Sequence, residues 1–321
     1  MKKIAIIGAG ISGIVCAHQL NKHEKSVHLF DKSRGASGRS TTKRWPNSTL
    51  GIDMGVPYMY QHEIDQSNTI IKGLITNKHL TNWQFQSHKN NQTTTKNTMI
   101  GQPKMSSIAR ALTNSIKLIS QTKIDKIDNT NGWEIWSDST KHGPYDALVL
   151  ALPAAQYNLI TGIPQQLQDM ANQCTNNAIN TLLIETKNPI WTTDHAEYIL
   201  NSTTIQSVIA DYQKPNRNAN QYTYAIHSQR DWATNTFDKY EKTDIEAIML
   251  NELNSQFDLT NNQIIHTLCH RWKFGEVINN QNTNPFISTK NNLYCCGDWL
   301  HKQSFIGALE SGYQLAMHIA E

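Results

Sequence analysis

No stretch of eighteen apolar residues occurs in this chain of 321 residues, so the sequence predicts no transmembrane helix and no membrane partner. Cysteine is scarce and unpatterned. The five cysteines are an odd number, Cys295 and Cys296 are adjacent, and no C-x-x-C pair exists. Such spacing builds neither a disulfide framework nor a zinc site; no metal is expected, and a reducing compartment, the cytoplasm, is the simpler reading. Concentrated charge is also missing. The formal net charge is only +3, and nucleic-acid binders usually carry a dense basic stripe, so no nucleic-acid partner is expected. The one basic cluster is Lys32, Arg34, Arg39, Lys43 and Arg44. No internal repeat is visible, no nucleophile–base pair stands out, and oligomeric state is not legible.

What is present is a globular composition, with 38% hydrophobic and 17% charged residues, long enough for a sizeable core in one large or two interleaved domains. The amide-rich stretches Asn90 to Thr95 and Asn279 to Asn284 read as polar loops, because apolar residues recur on both sides of each. Lys2 and Lys3 before an apolar run have the outline of a signal peptide. Three glycines at fixed spacing, then His18, Gln19 and Asn21, argue against that reading.

Lys3 to Ile7 reads as a buried strand, and Ile11, Ile14, Val15 and Leu20 fall on one helical face. Val27 to Phe30 is a second buried strand, which completes a β-turn-α-β unit in about thirty residues. Gly51 to Gly55 reads as extended. Residues 60 to 98 show weak periodicity. Ser106 to Ile116 looks helical. Lys117 to Ile127 and Trp133 to Ser137 read as paired strands turned at Asn131-Gly132. Asp146 to Leu152 is a third buried strand. Thr181 to Glu185 and Tyr222 to His227 read as strands and Thr243 to Leu253 as a helix, in a region expected to handle substrate. Asn292 to Cys296 is a further strand, followed by an amphipathic helix through Phe305, Leu309, Gly312, Ala316 and Ile319.

The sequence IAIIGAGISGIVCA fits G-x-G-x-x-G at Gly8, Gly10 and Gly13. Gly8 permits the tight turn, Gly10 lets a pyrophosphate approach the backbone, and Gly13 lets the helix pack closely on the sheet. The helix start supplies free N–H groups and about half a positive charge. Asp31 closes the second strand 18 residues after Gly13, where a carboxylate accepts from both ribose hydroxyls and repels a 2′-phosphate. Strand, glycines, helix and acid in register point to a dinucleotide.

The segment DKSRGASGRSTTKR follows directly. Gly35 and Gly38 allow close backbone approach, and Arg39 can reach a pyrophosphate or a carboxylate; a solvated basic loop is the plainer alternative. Near the end lies LYCCGDWLHKQSFIGALESG. There Gly297-Asp298 follows a strand, so Asp298 could meet ribityl hydroxyls, or simply turn the chain. A helix starting near Phe305 would turn its positive end toward reduced-flavin charge, an interaction of about 0.3–2 kcal/mol.

These blocks, with GIDMGVPYM, GQPKMSSIARAL, YDALVLALPAAQ and HRWKF, resemble the flavin amine oxidase superfamily, and within it the renalase family. The resemblance runs over most of the chain. It implies an α/β fold: a Rossmann-type, glutathione-reductase-like FAD-binding domain (1–58, 99–156 and 271–321) interleaved with an α+β substrate domain (59–98 and 157–270). It implies FAD contacts at Ser12, Asp31, Lys32, Arg39, Asp298 and Phe305, with Gly297 and Gly307 alongside, a backbone contact to adenine at Ile124, and Met54-Gly55 running past the flavin ring. Substrate would be lined by Val56, Tyr58, Tyr60, Met99, Gly101, Thr181 and Ser304. His270, Arg271 and Trp272 are the candidates for the catalytic wall. Trp272 could stack on a flat nicotinamide and Arg271 could meet a phosphate or carboxamide oxygen, or all three could belong to a strand returning to the core.

The implied activity is oxidation of 1,2- and 1,6-dihydro isomers of NAD(P)H, with hydride passing to flavin N5 and then to O2, giving H2O2. Such chemistry needs positioning more than acid–base help, since the pyridinium forms directly. Three departures touch the implied cavity and leave the FAD loops alone. Lys104 replaces a usual glycine, Ser304-Phe305-Ile306 replaces Arg-Val-Glu, and Ala178 stands where bacterial relatives often carry tryptophan. Two rival readings remain: an oxidase of amines or amino-acid-derived substrates, with Tyr58, Tyr60 and Trp272 forming an aromatic cage, and a non-catalytic flavin-binding protein.

Overall fold

A computed structural model describes residues 2–46, 51–259, 263–279 and 284–321. The expected loop at Asn279 to Asn284 lies largely outside the described residues. The chain divides into two compact units. One comprises 1–40, 108–176 and 277–321, the other 41–107 and 177–276. The expected boundaries grouped 41–58, 99–107 and 271–276 with the dinucleotide-binding domain. By compactness these segments lie in the second unit, and 157–176 lies in the first.

The first unit is built on a six-stranded sheet. Lys3–Ile7 lies between Ser26–Phe30 and Ala147–Leu150, both parallel to it. Lys117–Ile119 and Leu293–Cys296 extend the parallel sheet, and Phe286–Ser288 closes one edge antiparallel. Every residue of Ala147–Leu150 is buried, which is why it reads as an unbroken apolar run. Helix Ile11–Lys22 packs against the C-terminal helix Phe305–Ala320 so closely that a Cβ on Gly312 would lie 2.1 Å from the Ser12 carbonyl oxygen.

Lys117 to Ile127 differs from the expected single strand. Lys117–Ile119 joins the parallel sheet, whereas Lys126–Asp128 pairs with Trp133–Ser137 in a separate three-stranded sheet. The apolar pattern is continuous there, so it hides the change of partner. Thr140–Tyr145 is the third strand of that small sheet.

The second unit carries an eight-stranded sheet. Its longest hairpin, Leu80–Lys89 with Gln92–Gly101, occupies the region of weak periodicity. Asn90 and Asn91 form a two-residue turn with φ of 50° and 60°, conformations that asparagine tolerates better than most residues. Gln92 to Thr95, expected as loop, is strand. Its exposed threonines suit a strand without marking a buried face. Helix Lys242–Phe257 covers one sheet face through Ile245, Met249 and Leu253, against Leu182, Ile184, Val208 and Ile226.

A buried ionic quartet ties three loops of this unit together. Asp53 Oδ2 accepts from Lys214 Nζ at 2.8 Å and from Arg217 Nη2 at 2.6 Å, and Lys214 also meets Asp211 at 2.7 Å. Asp53 Oδ1 accepts from Thr42 Oγ1 at 2.7 Å and from Met105 N at 3.1 Å. Arg217 further donates to the Pro103 carbonyl. Burial pushes the Asp53 carboxyl up, but Lys214 and Arg217 outweigh it and hold the group below the ordinary value. A depressed folded-state value contributes stability that is complete above the ordinary aspartate pKa of 3.8 and lost as pH falls below it through the folded-state value. Replacing Asp53 with Asn should therefore cost about 3–5 kcal/mol at neutral pH, because it leaves buried cations undercompensated. Urea denaturation should show that penalty constant from pH 7 down to about 3.8 and shrinking only below it, as unfolded chains take up the proton first.

Candidate functional site

In the first unit the glycines of the first turn divide by role. Gly8 has φ +107°, and an added Cβ would lie 2.4 Å from the Ala151 carbonyl oxygen. Gly13 would place a Cβ 2.0 Å from the Gly8 oxygen and 2.9 Å from Ala151 Cβ. Both are required by the fold. At Gly10 the φ is an ordinary −74°, and a Cβ there would meet nothing within 4 Å. Protein packing therefore supplies no reason for a glycine at this position; a ligand lying against the backbone would.

The helix that Gly10 begins has no side-chain cap and no acidic residue in its first turn. Its first N–H groups are the orphan donors that bind phosphate. The next loop folds over this turn: Ser37 N donates to the Ala9 carbonyl, and a Cβ on Gly38, at φ +51°, would lie 3.1 Å from Gly10 Cα. Asp31 holds the turn from the other side, with one oxygen accepting from Ala9 N and the other from Ser33 N, each at 2.7 Å. Open space at Gly10, an uncapped helix start and a carboxylate at the end of the second strand fit an adenine dinucleotide.

Other expected cofactor residues gather in this unit. Arg39 Nη2 lies 2.7 Å from Asp298 Oδ1, so the expected arginine and the expected ribityl acid form one ion pair. Phe305 is the first residue of the C-terminal helix, where Ser304 Oγ accepts from Gly307 N at 3.0 Å. Ser304, expected to face substrate, thus caps the helix. Gly307 is a packing requirement, because its Cβ would strike the Lys302 carbonyl oxygen at 2.0 Å. Gly297 N donates to Ser311 Oγ at 2.8 Å. Ser12 is buried in the first helical turn, the Ile124 side chain belongs to the core, and Lys32 is exposed.

In the second unit, strand register assigns residues to faces, because paired residues share one. Tyr60 pairs with Thr98, Thr98 with Trp83 and Lys96 with Phe85. Ser87 pairs with Glu197, Glu197 with Ile209, Ile209 with Ala225, Ala225 with Leu183, and His227 with Thr181. Tyr60, Lys96, Glu197, His227 and Thr181 therefore lie on one face. Val208, Ile226 and Leu182 lie on the other, under the long helix.

Met99 faces away from this set. It pairs with Asn82 and Met59, and with Leu80 and Gln102 it lines a surface cavity of about 880 Å³ on the reverse side. Gly101, two residues on, shares the Met99 side, and its N–H meets Met105 sulfur at 3.2 Å. The expected grouping of Met99 and Gly101 with Tyr60 is therefore split by strand alternation.

Thr181 and Trp272 are brought together. Trp272 Nε1 donates to Thr181 Oγ1 at 3.2 Å, and the half-buried indole packs with Trp45, Ile52, Met54, Leu183 and Ala225. Thr181 itself is fully buried, so it orients the indole and does not line a cavity. His270 lies edge-on to Trp272, with centroids 4.3 Å apart, and burial pushes its imidazole pKa down. Arg271 donates to the Phe237 and Tyr240 carbonyls, beyond a short helix, with its guanidinium 4.3 Å from the Phe237 ring centroid. Met54 is buried, and Gly55 and Val56 are half-buried.

Tyr58 and Tyr60 meet at 5.5 Å in a T-shaped pair, but their company is Trp83 and Phe85, not Trp272. Tyr58 Oη donates to Glu197 at 2.8 Å. Glu197 also accepts from Ser87 at 2.6 Å and from Lys96. His227 was not anticipated as a site residue. Burial pushes its pKa down to about 4, and its Nε2 is buried without a hydrogen-bond partner among the described residues. Neither Lys96, Glu197 nor His227 sits in a motif. Only strand pairing assembles them.

The NAD(P)-binding Rossmann-like domain matches residues 6–72, and the family described as flavin-containing amine oxidoreductase matches residues 58–320. Renalase from Mus musculus is 23% identical over 97% of this chain and 96% of its own length. Among solved structures, cyclohexylamine oxidase from Brevibacterium oxydans IH-35A superposes with a TM-score of 0.76 at 11% identity. Putrescine oxidase, wild type and bound to putrescine, gives 0.74 at 12%. In both, 99% of this chain and 98% of the other are covered. Among the described residues, no helix is long and apolar enough to cross a membrane and no group of three or more metal-ligating side chains occurs.

The glycine geometry separates two substitutions. Gly10→Val should leave thermal unfolding of the flavin-free protein nearly unchanged and abolish retention of FAD. Gly13→Val should lower the unfolding temperature before any cofactor is added. Absorbance in the visible flavin bands, read beside circular dichroism, checks both.

Proposed function

From the premise that the chain belongs to the flavin-containing amine oxidoreductase family, we propose that this FAD-dependent oxidoreductase is a renalase-like oxidase of the 1,2- and 1,6-dihydro isomers of NAD(P)H. The likeness to mouse renalase, which spans nearly all of both chains, supports the reading. The observation that carries it is the state of the titratable groups on the candidate sheet face. Glu197 is bonded to Tyr58, Ser87 and Lys96. Burial, then Glu197, pushes the Tyr58 hydroxyl pKa up, and His227 is neutral at physiological pH. Neither Tyr58 nor His227 is poised to exchange a proton near pH 7. A dihydropyridine asks for no such group, because loss of hydride alone makes the pyridinium.

Bound FAD would supply the acceptor for that hydride and its relay to O2, so that hydride, O2 and one further proton together give H2O2. The chain's own residues bind and orient. The Gly10 backbone and the uncapped helix start would hold the pyrophosphate, Asp31 the adenosine ribose, and Arg39 with Asp298 the ribityl side. Trp272, its indole plane set by Thr181, offers a flat half-exposed surface for a flat ring. His270 beside it is neutral near pH 7, so it adds no charge to repel a forming pyridinium.

Anaerobic stopped-flow tests the reading. Micromolar dihydronicotinamide isomers should bleach the flavin within seconds, while an amine panel including putrescine and cyclohexylamine should not. Bleaching by amines alone overturns the proposal in favour of an amine oxidase. A yellow protein that no donor reduces would favour a non-catalytic flavin carrier.

A further inference from the structure

We propose that His88 and His195 form a two-imidazole site for a borderline divalent cation such as Zn2+. Strand register puts both rings on the helix-covered side of the second unit's sheet, away from the candidate substrate face. His88 pairs with Tyr198, and Tyr198 with Val208, which lies under the long helix. Glu197 pairs with Ser87 and faces the other way. In a regular strand His195, two residues before Glu197, would share its face. The register shifts between them, and His195 pairs with Gln86, on the His88 side. Irregularities of this kind re-aim side chains. The two ring centroids stand 5.2 Å apart. Two imidazoles on one tetrahedral ion, each nitrogen about 2.0–2.1 Å from it, have centroids roughly 5 Å apart. Both residues are half-buried, so an ion reaches them from solvent.

The donor atoms suit such a cation. His88 Nδ1 is buried and has no hydrogen-bond partner among the described residues. His195 Nε2 lies 2.9 Å from Thr93 Oγ1, and its Nδ1 lies 2.8 Å from Thr193 Oγ1. A neutral imidazole carries one N–H, so one of these nitrogens donates to a threonine and the other offers a lone pair. The hydroxyl on the lone-pair side is a rotor that turns aside for a metal. The remaining N–H···O bond fixes the tautomer and tilt of the ring, as outer partners of metal-bound histidines do. Tyr198 packs against both rings, with centroids 5.0 Å from His88 and 5.5 Å from His195. No third histidine, cysteine or carboxylate completes the group among the described residues, so waters would fill the other positions. Selectivity then rests on imidazole, which suits Zn2+, Cu2+ and Ni2+ and not the oxygen-seeking Mg2+.

The test uses the full flavin-loaded chain and zinc chloride alone, by equilibrium dialysis with the retained zinc measured. Wild type should hold one equivalent at micromolar free zinc, and excess Mg2+ should not displace it. Zinc should also raise the unfolding temperature, because it binds the folded chain. His88→Gln and His195→Gln each remove one ligand and keep a polar side chain. Each should weaken uptake at least about tenfold, since losing even an outer partner of a metal ligand costs that much. Circular dichroism checks that the variants fold. If they do not, anomalous diffraction at the zinc edge from wild-type crystals locates the ion, expected between the two rings. Zinc held by a folded variant as tightly as by wild type, no uptake by wild type, or an anomalous peak only at other residues overturns the proposal. No readout involves turnover, so the result stands apart from whether dihydronicotinamides reduce the flavin.

Discussion

Everything the cofactor-binding half can do follows from a turn with no room for side chains. Gly8 and Gly13 bring the first strand, the first helix and the end of Ala147–Leu150 within van der Waals contact of one another. That closeness sets a helix start that no side chain caps beside Gly10. The space above Gly10 is the consequence. Asp31, bonded to Ala9 and Ser33, fixes the same turn from the neighbouring strand, so the two features that suit a dinucleotide are mechanically one.

The second unit solves a different problem with different physics. Its eight-stranded sheet buries one face under a helix and keeps polar and aromatic groups on the other. Charges of this unit are neutralised locally: Lys96 by Glu197 on that second face, and Lys214 and Arg217 by Asp53 and Asp211 between loops. Buried ion pairs add little net stability over apolar replacements, but they tolerate no missing partner, which makes them effective at holding loops in one place. The Asp53 quartet holds Thr42, the Pro103–Met105 turn and the Asp211–Arg217 loop in this way, next to the segment that continues into Met54 and Gly55. The resulting face holds its rings in fixed orientations through such partners.

Several expected residues have other duties in the fold. Thr181 serves Trp272, Ser304 caps a helix, and Arg271 satisfies two carbonyls left by the short helix Arg230–Thr236 and the loop beyond it. A family resemblance names positions, and physics assigns them work. Met99 and Gly101 show the sharpest form of this, because a side-chain period of two decides which face a residue joins and no motif records it.

Local sequence by itself determined the dinucleotide unit: three glycines, a strand on each side and an acid in register act within about thirty residues, so their geometry is set by near neighbours. It also determined the fully buried parallel strands, whose apolar runs need no partner to be recognised. Tertiary structure alone decided the candidate substrate face. Tyr60, Lys96, Glu197, His227 and Thr181 come from five strands spread over some 170 residues of chain, and only long-range strand register turns them the same way. The ionic quartet was equally hidden, since a charge in sequence looks the same whether solvent or a buried partner will neutralise it.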